Sequence, residues 1–290
     1  MHPSALPPGM ARKPYPRRTA GTEAQRVLRL LLARLKQHSS LSRRDEDVLA
    51  ELRPRTERAL RGADIVRQGD KPKASVFVLT GMVARYHTVA SGQRQYLSLH
   101  IAGDLPDLQS LMLGQMDHSL CALDEAEIAF VPHEQLRATV FDAPALAFAF
   151  WRETLLDAAI FRQAITTNGT RSSVERVAHL LCEQYVRARQ AGIANGAACS
   201  VPLNQHQIGQ MLGLSIVTVN RALQSLRNGH CAELRNGTLL VLDWARLQHK
   251  AAFDPTYLHL DLHAAAINPP RAQANAQPHR RQLKVPDAKQ

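Results

Sequence analysis

The chain has 290 residues, 45% of them hydrophobic, which at roughly 150 residues per domain is enough for two cores rather than one. Its 36 Lys and Arg against 25 Asp and Glu leave a net charge of +11, pointing to a polyanionic partner without naming it. No stretch reaches the ~20 consecutive apolar residues that span a bilayer. Cys121, Cys182, Cys199 and Cys231 lie far apart with no CxxC pair, which argues against a disulfide framework or a zinc site and fits reduced, cytoplasmic thiols.

The charge is unevenly placed. Residues 1–62 carry 14 Lys/Arg against 6 Asp/Glu, and residues 63–140 carry 6 against 9, so the middle of the chain is acidic. Residues 1–22, rich in Pro and Arg, read as a flexible basic tail rather than a targeting segment. The apolar run from Val27 to Leu35 is broken by Arg29 and Arg34, and no small-residue cleavage site follows it.

Leu28, Leu31, Leu32 and Leu35 recur at helical spacing and predict an amphipathic helix over 23–36. A short helix follows, capped by Ser42, carrying Val48, Leu49 and Leu52, and stopped by Pro54. From Ala63 the period falls to about two. Strands are expected at 64–67, 75–80, 82–89, 94–100, 119–122 and 127–132, separated by turn residues such as Gln68-Gly69-Asp70 and Ser91-Gly92. Such a series predicts a small antiparallel roll or barrel.

Beyond Pro144 a long helix is expected to 168, with Trp151, Leu155, Ala158, Arg162 and Ile165 on one stripe flanked by Phe148, Thr154 and Phe161. That stripe fits either a core face or a two-fold dimer seam. Asn168-Gly169-Thr170 is expected to interrupt it, and a further helix with Val174, Val177, Ala178, Leu180, Leu181 and Tyr185 inward runs to about Gln190.

The segment from Val201 to Arg227 carries the most information. Asn204 can cap a helix with Ile208, Met211 and Leu212 inward; Gly213 supplies the turn, Leu214 packs between the helices, and Ser215 caps a second helix with Val219, Leu223 and Leu226 inward. This helix-turn-helix pattern projects its second helix into a DNA major groove, although an ordinary helical hairpin gives the same periodicity. Ile216, Val217, Asn220, Arg221 and Gln224 face away from the packed stripe and are the candidate base readers: Arg221 for guanine, Asn220 or Gln224 for adenine, Val217 for a thymine methyl. Asn204, Gln205, Ser215 and Thr218 are the candidate phosphate contacts. A strand at 199–202 precedes the motif. Strands at 231–235 and 238–243 follow it, joined by Asn236-Gly237, and form a candidate wing.

With these residues in view, residues 25–250 resemble the Crp/Fnr family of bacterial transcription regulators. The resemblance rests on Arg67-Gln-Gly-Asp70, Val78-Leu-Thr-Gly81, Gly103-Asp104, Glu175-Arg176-Val-Ala-His-Leu-Leu181 and Ile208-Gly-Gln-Met-Leu-Gly-Leu-Ser215. It implies an α+β chain: a cyclic-nucleotide-binding-like antiparallel β-roll sensor domain (23–143), a dimerisation helix (144–168) and a winged helix-turn-helix domain (169–250). A C-terminal extension (251–290) follows, expected to be largely disordered after about 266. It also implies a cytoplasmic homodimer on near-palindromic double-stranded DNA, with RNA polymerase as a partner, no membrane and no catalytic activity. A small-molecule effector is left open, and no metal or cofactor is expected.

The chain departs from that family at its ligand cassette. Where cyclic-AMP-binding members carry Gly-Glu and Arg-Ser or Arg-Thr pairs, this sequence has Asp107-Leu108 and His118-Ser119. Without that guanidinium the cyclic phosphate has no bidentate partner, and Asp107 and Asp117 are expected to repel it. No cysteine precedes Cys121, so the N-terminal iron-sulfur ligation of oxygen-sensing members is absent, and Cys121 reads as an apolar strand residue. Haem ligation by His87, His100 or His118 is a minor alternative. The family's Arg and Glu reading positions are Ile216 and Val217 here, while Arg221 is kept, so the target site should differ from TGTGA-type half-sites. Two other functions compete: a ligand sensor acting through protein partners, and a cupin-like metalloenzyme, which the lack of a His-x-His in the roll disfavours.

Overall fold

The structure, a computed structural model, describes residues 20–260. The expected tail at 1–19 and the segment from 261 onward lie outside the described residues. Helix α1 (Ala20–Lys36) begins inside the stretch read as tail, so the tail boundary at residue 22 moves back. Val27, Leu31 and Leu35 of α1 are buried against α2 (Arg43–Ala50), which opens on a capping box between Ser42 and Asp45.

Seven strands then build the roll: β1 (Arg55–Ala59), β2 (Asp64–Val66), β3 (Ala74–Thr80), β4 (Val83–Thr88), β5 (Arg94–His100), β6 (Ser119–Ala122) and β7 (Ala126–Pro132). They form two antiparallel sheets, ordered β1-β7-β3 and β2-β6-β4-β5. Strand β1 was not foreseen, because only Ala59 of its five residues is buried and no apolar alternation marks it. In β4 the period-two rule separates two roles: Val83 joins the roll interior, while Ala84 and Tyr86 join the core that continues into the C-terminal half.

Helix α3 (His133–Asp142), also unforeseen, leads into α4 (Pro144–Thr170). The expected break at Asn168-Gly169-Thr170 is wrong. Those residues complete the last turn of α4, and the chain turns at Arg171, where a Ser172–Glu175 capping box starts α5 (Ser173–Gln190). The strong cap, rather than the weak propensity of Gly169, sets the boundary. Arg171 also donates to the carbonyls of Ala251 (2.8 Å) and Ala252 (3.0 Å), tying the turn to the end of the C-terminal half.

That half contains β8 (Ala198–Ser200), α6 (Gln205–Leu212), α7 (Ile216–Asn228), β9 (Ala232–Arg235), β10 (Thr238–Val241) and α8 (Trp244–Lys250). Its three strands form one antiparallel sheet, ordered β8-β10-β9. Asn236 (φ 50°) and Gly237 (φ 74°) both take positive φ between β9 and β10, the conformation a two-residue type I′ hairpin needs. The observed architecture is the expected one: antiparallel roll, long helix and winged helix-turn-helix.

Candidate nucleic-acid interface

The helix-turn-helix is held by local chemistry. Asn204 Oδ1 accepts from the Gln207 amide (2.8 Å) while Gln207 Oε1 accepts from the Asn204 amide (2.9 Å), a reciprocal cap on α6. Gly213 ends α6 in the left-handed region (φ 66°). Ser215 Oγ accepts from the Thr218 amide (3.1 Å) and lies 2.8 Å from Thr218 Oγ1, capping α7.

Gly209 is a residue that the sequence did not single out. A Cβ there would lie 2.5 Å from the Leu214 carbonyl oxygen, so only glycine lets the turn close this tightly. Beneath the motif, Ile208, Leu212, Val219, Ala222 and Leu226 are buried and pack on Val177, Leu181 and Tyr185 of α5.

The five candidate base readers fall at i, i+1, i+4, i+5 and i+8 along α7 and share its outer face. Ile216, Val217, Arg221 and Gln224 are exposed and Asn220 is half-buried. Val217 is 58% exposed, a notable openness for an aliphatic side chain. Arg221 is exposed and makes no ion pair among the described residues, whereas Arg227, at the other end of α7, is bound to Glu233 of the wing (2.9 Å). Of the candidate phosphate contacts, Asn204, Gln205 and Ser215 are exposed and Thr218 is half-buried. Asn204 spends its side-chain oxygen on the cap, which leaves its amide NH2 as the outward donor.

The long helix has two apolar faces. Leu146, Ala149, Phe150, Leu156 and Ala159 are buried within the chain. The predicted stripe points away: Trp151 is 60% exposed, Leu155 51% and Ile165 74%, Arg162 is exposed, and Ala158 is half-buried. The stripe is therefore not a core face of this chain.

Between the roll and α4 lies a cavity of about 270 Å³. Of the four cassette positions, Leu108 and His118 line it, and Asp107 and Ser119 do not. The Asp107 carboxylate is buried behind the wall and accepts from the Val76 amide (2.6 Å), with burial pushing its pKa up to about 7. Ser119 Oγ accepts from the Gln68 amide (2.9 Å). The expected repulsion of a phosphate by Asp107 is thus withdrawn, since that side chain faces elsewhere.

The sequence also missed the guanidinium that the cavity does hold. Arg85 reaches it from β4, next to a register shift that leaves Leu97 of β5 as the extra residue. It is fully engaged: its Nε donates to the Pro106 carbonyl (2.7 Å), an Nη donates to the same oxygen, another pairs with Asp157 of α4, and the group sits over the Phe161 ring. Only the three-dimensional pairing of β4 with α4 reveals this; no spacing in the sequence encodes it. All four cysteines are buried, and burial pushes the Cys121 thiol up to about 11 and the Cys199 thiol up to about 12, so they are protonated packing groups.

Comparison with known proteins agrees with this geometry. Residues 56–142 match the cyclic nucleotide-binding domain family and residues 175–250 the Crp-like helix-turn-helix domain family, together more than half of the chain. The transcriptional activator protein Anr of Pseudomonas protegens is 25% identical over 205 residues, covering 70% of this chain and 83% of that protein. The nitrogen fixation regulation protein FixK of Rhizobium meliloti is 28% identical over 177 residues, covering 60% and 76%. Among solved structures, FixK2 from Bradyrhizobium japonicum superposes with a TM-score of 0.62 at 22% identity, over 69% of this chain and 98% of that one, which supports the fold. No helix among the described residues is long and apolar enough to cross a membrane. Two family matches in the right order, joined by the long helix and closed by a capped, glycine-turned reading motif, place this chain in the Crp/Fnr family of DNA-binding transcription regulators.

Proposed function

We propose that the protein acts in the cytoplasm as a homodimer that reads a near-palindromic DNA site, with α7 in the major groove of each half-site and α4 as the two-fold seam. The observation that carries this reading is the outer face of α7, where an exposed Arg221, without an ion pair among the described residues, stands beside Asn220, Gln224 and the exposed Ile216 and Val217 on a rigidly capped helix. An isologous seam is supported by the exposed apolar stripe of α4, because a surface of Trp151, Leu155 and Ile165 is self-complementary across a two-fold axis. RNA polymerase is the partner such a regulator addresses from its promoter.

The roll does not take cyclic AMP in the usual way. Arg85, the guanidinium facing the cavity, is already shared between Pro106 and Asp157, so a cyclic phosphate finds no free bidentate donor. Calorimetry showing micromolar cyclic AMP binding would overturn this. An effector of other chemistry is compatible with the cavity.

Selection of bound fragments from random DNA should yield a two-fold site with half-sites about one helical turn apart. On that site Arg221→Ala should cost about 1–3 kcal/mol and relax one base position. Equal binding by wild type and Arg221→Ala would sink the assignment of that residue. Ile216→Ser and Val217→Ser should alter the selected sequence at positions carrying thymine methyls. An unchanged selection would instead favour a protein partner for this apolar pair.

A further inference from the structure

A second cleft, of about 330 Å³, opens at the junction of the two halves and shares no lining residue with the roll cavity or α7. One wall is the face of α1 that turns from its core, carrying Arg26, Arg29, Ala33 and Arg34. The floor is the turn Ile101–Asp104 after β5, and the far wall is the end of α5, with Arg187 and Gln190.

Four guanidinium groups therefore line the cleft, and among the described residues Asp104 is the single carboxylate on its surface. Three of the four cations are held in ion pairs, two of them by carboxylates outside the cleft lining. Arg26 pairs with Glu127 (2.7 Å), Arg34 with Glu153 (3.1 Å) and Asp104 (3.6 Å), and Arg187 with Asp104 and Glu183 (3.7 Å) while donating to the Leu99 carbonyl (2.8 Å). Neither Glu127 nor Glu153 lines the cleft. Arg29, one turn from Arg26, is exposed and makes no ion pair among the described residues. The last carbonyls of α5 do not compete for these cations, since those of Arg187, Ala188 and Arg189 accept from the amides of residues 191–194. Gln37 and Gln190 add two amides, and the rest of the side-chain lining is aliphatic, with Leu30, Leu79, Ile101 and Ile193.

We propose that this cleft is a binding site for a small organic carboxylate with an apolar body. Arg29 meets the carboxylate, with Arg26 and Arg34 as fixed neighbouring charges, and the aliphatic walls take the body. The volume and the mixture of apolar lining with a few convergent charged groups are those of a small-molecule site, and the excess of guanidinium over carboxylate sets the sign of the ligand. A ligand held here touches α1 and α5 at once, so its occupancy bears on how the reading half sits on the sensor half.

The test is calorimetry on the full chain with octanoate as probe, and octylamine and inorganic phosphate as controls. Octanoate should bind and the two controls should not. Arg29→Glu, a surface change that leaves the fold intact, should weaken octanoate by at least about tenfold, and Ala33→Trp, which fills the cleft, should abolish it. The site is refuted if octanoate fails to bind, if octylamine or phosphate binds as well, or if Arg29→Glu binds octanoate like wild type, which would place the probe elsewhere. The readout needs no DNA, so its failure is separate from failure of the DNA-binding reading.

Discussion

Arg221 and Arg85 show how differently two halves of one chain use the same side chain. On α7 the guanidinium is exposed and makes no ion pair among the described residues, on a helix whose geometry is fixed by Ser215 and Gly213. In the roll it is buried and consumed by Pro106, Asp157 and Phe161. The difference teaches that availability for a ligand is settled by partner accounting rather than by residue type: the helix-turn-helix leaves its donor unpaired among the described residues, and the roll spends its own on holding α4.

The contrast can be broken in several ways. The largest effect is expected at the seam proposed on α4. Leu155→Asp should give a monomer by sedimentation and lower affinity for the selected DNA site by about 100-fold or more, because two linked half-site contacts become one. Next, Arg85→Leu should destabilise the protein by about 3 kcal/mol in denaturant unfolding, by leaving Asp157 without its cation, with no change in selected sequence. A neutral outcome would show that Arg85 is not structurally committed and is free for a ligand. Gly209→Ala should cost about 2 kcal/mol and weaken every DNA sequence alike, since the added methyl forces Leu214 away from α6.

The smallest effect is a pH dependence. Burial holds the His179 imidazole, packed on Phe253 and Tyr257, down at about 3. The unfolded chain takes up this proton near 6.5 and the folded one does not, so the stability is complete above about 6.5 and is lost as pH falls toward 3. His179→Phe should remove about 1 kcal/mol of the loss between about pH 6 and about pH 5. Parallel pH profiles for wild type and variant would show that His179 is not the group responsible.

The reading half was legible in the sequence because its signals are local: Asn204 and Ser215 cap the helices that follow them, and Gly213 and Asn236-Gly237 take the positive φ their turns require. The central strands were legible where burial alternates or both faces are covered, as in β3 to β6. What stayed hidden depends on distant partners. Strand β1 buries little and is defined by pairing with β7 some 70 residues on. Helix α3 has few apolar residues to mark a stripe, with Leu136 buried and Phe141 left in solvent. Arg85 meets Pro106 and Asp157 across 21 and 72 residues, so its commitment could not be read from its neighbours. The expected role of Asp107 failed for the complementary reason: its neighbours in the sequence do not show that it turns to Val76, as the fold does.

One apolar cluster runs without interruption from Met82, Tyr86 and Tyr96 of the roll through Tyr185 of α5 to Ile208 of the reading motif and Phe253 near the end of the described chain. Close-packed interiors transmit displacement rather than absorb it. A movement of β4 or β5 driven from the roll cavity therefore arrives at the base of α6 as a push between touching side chains. The roll and the helix-turn-helix therefore share one interior with no soft layer between them, and the bend at Arg171, pinned to Ala251 and Ala252, is a point about which they are tied.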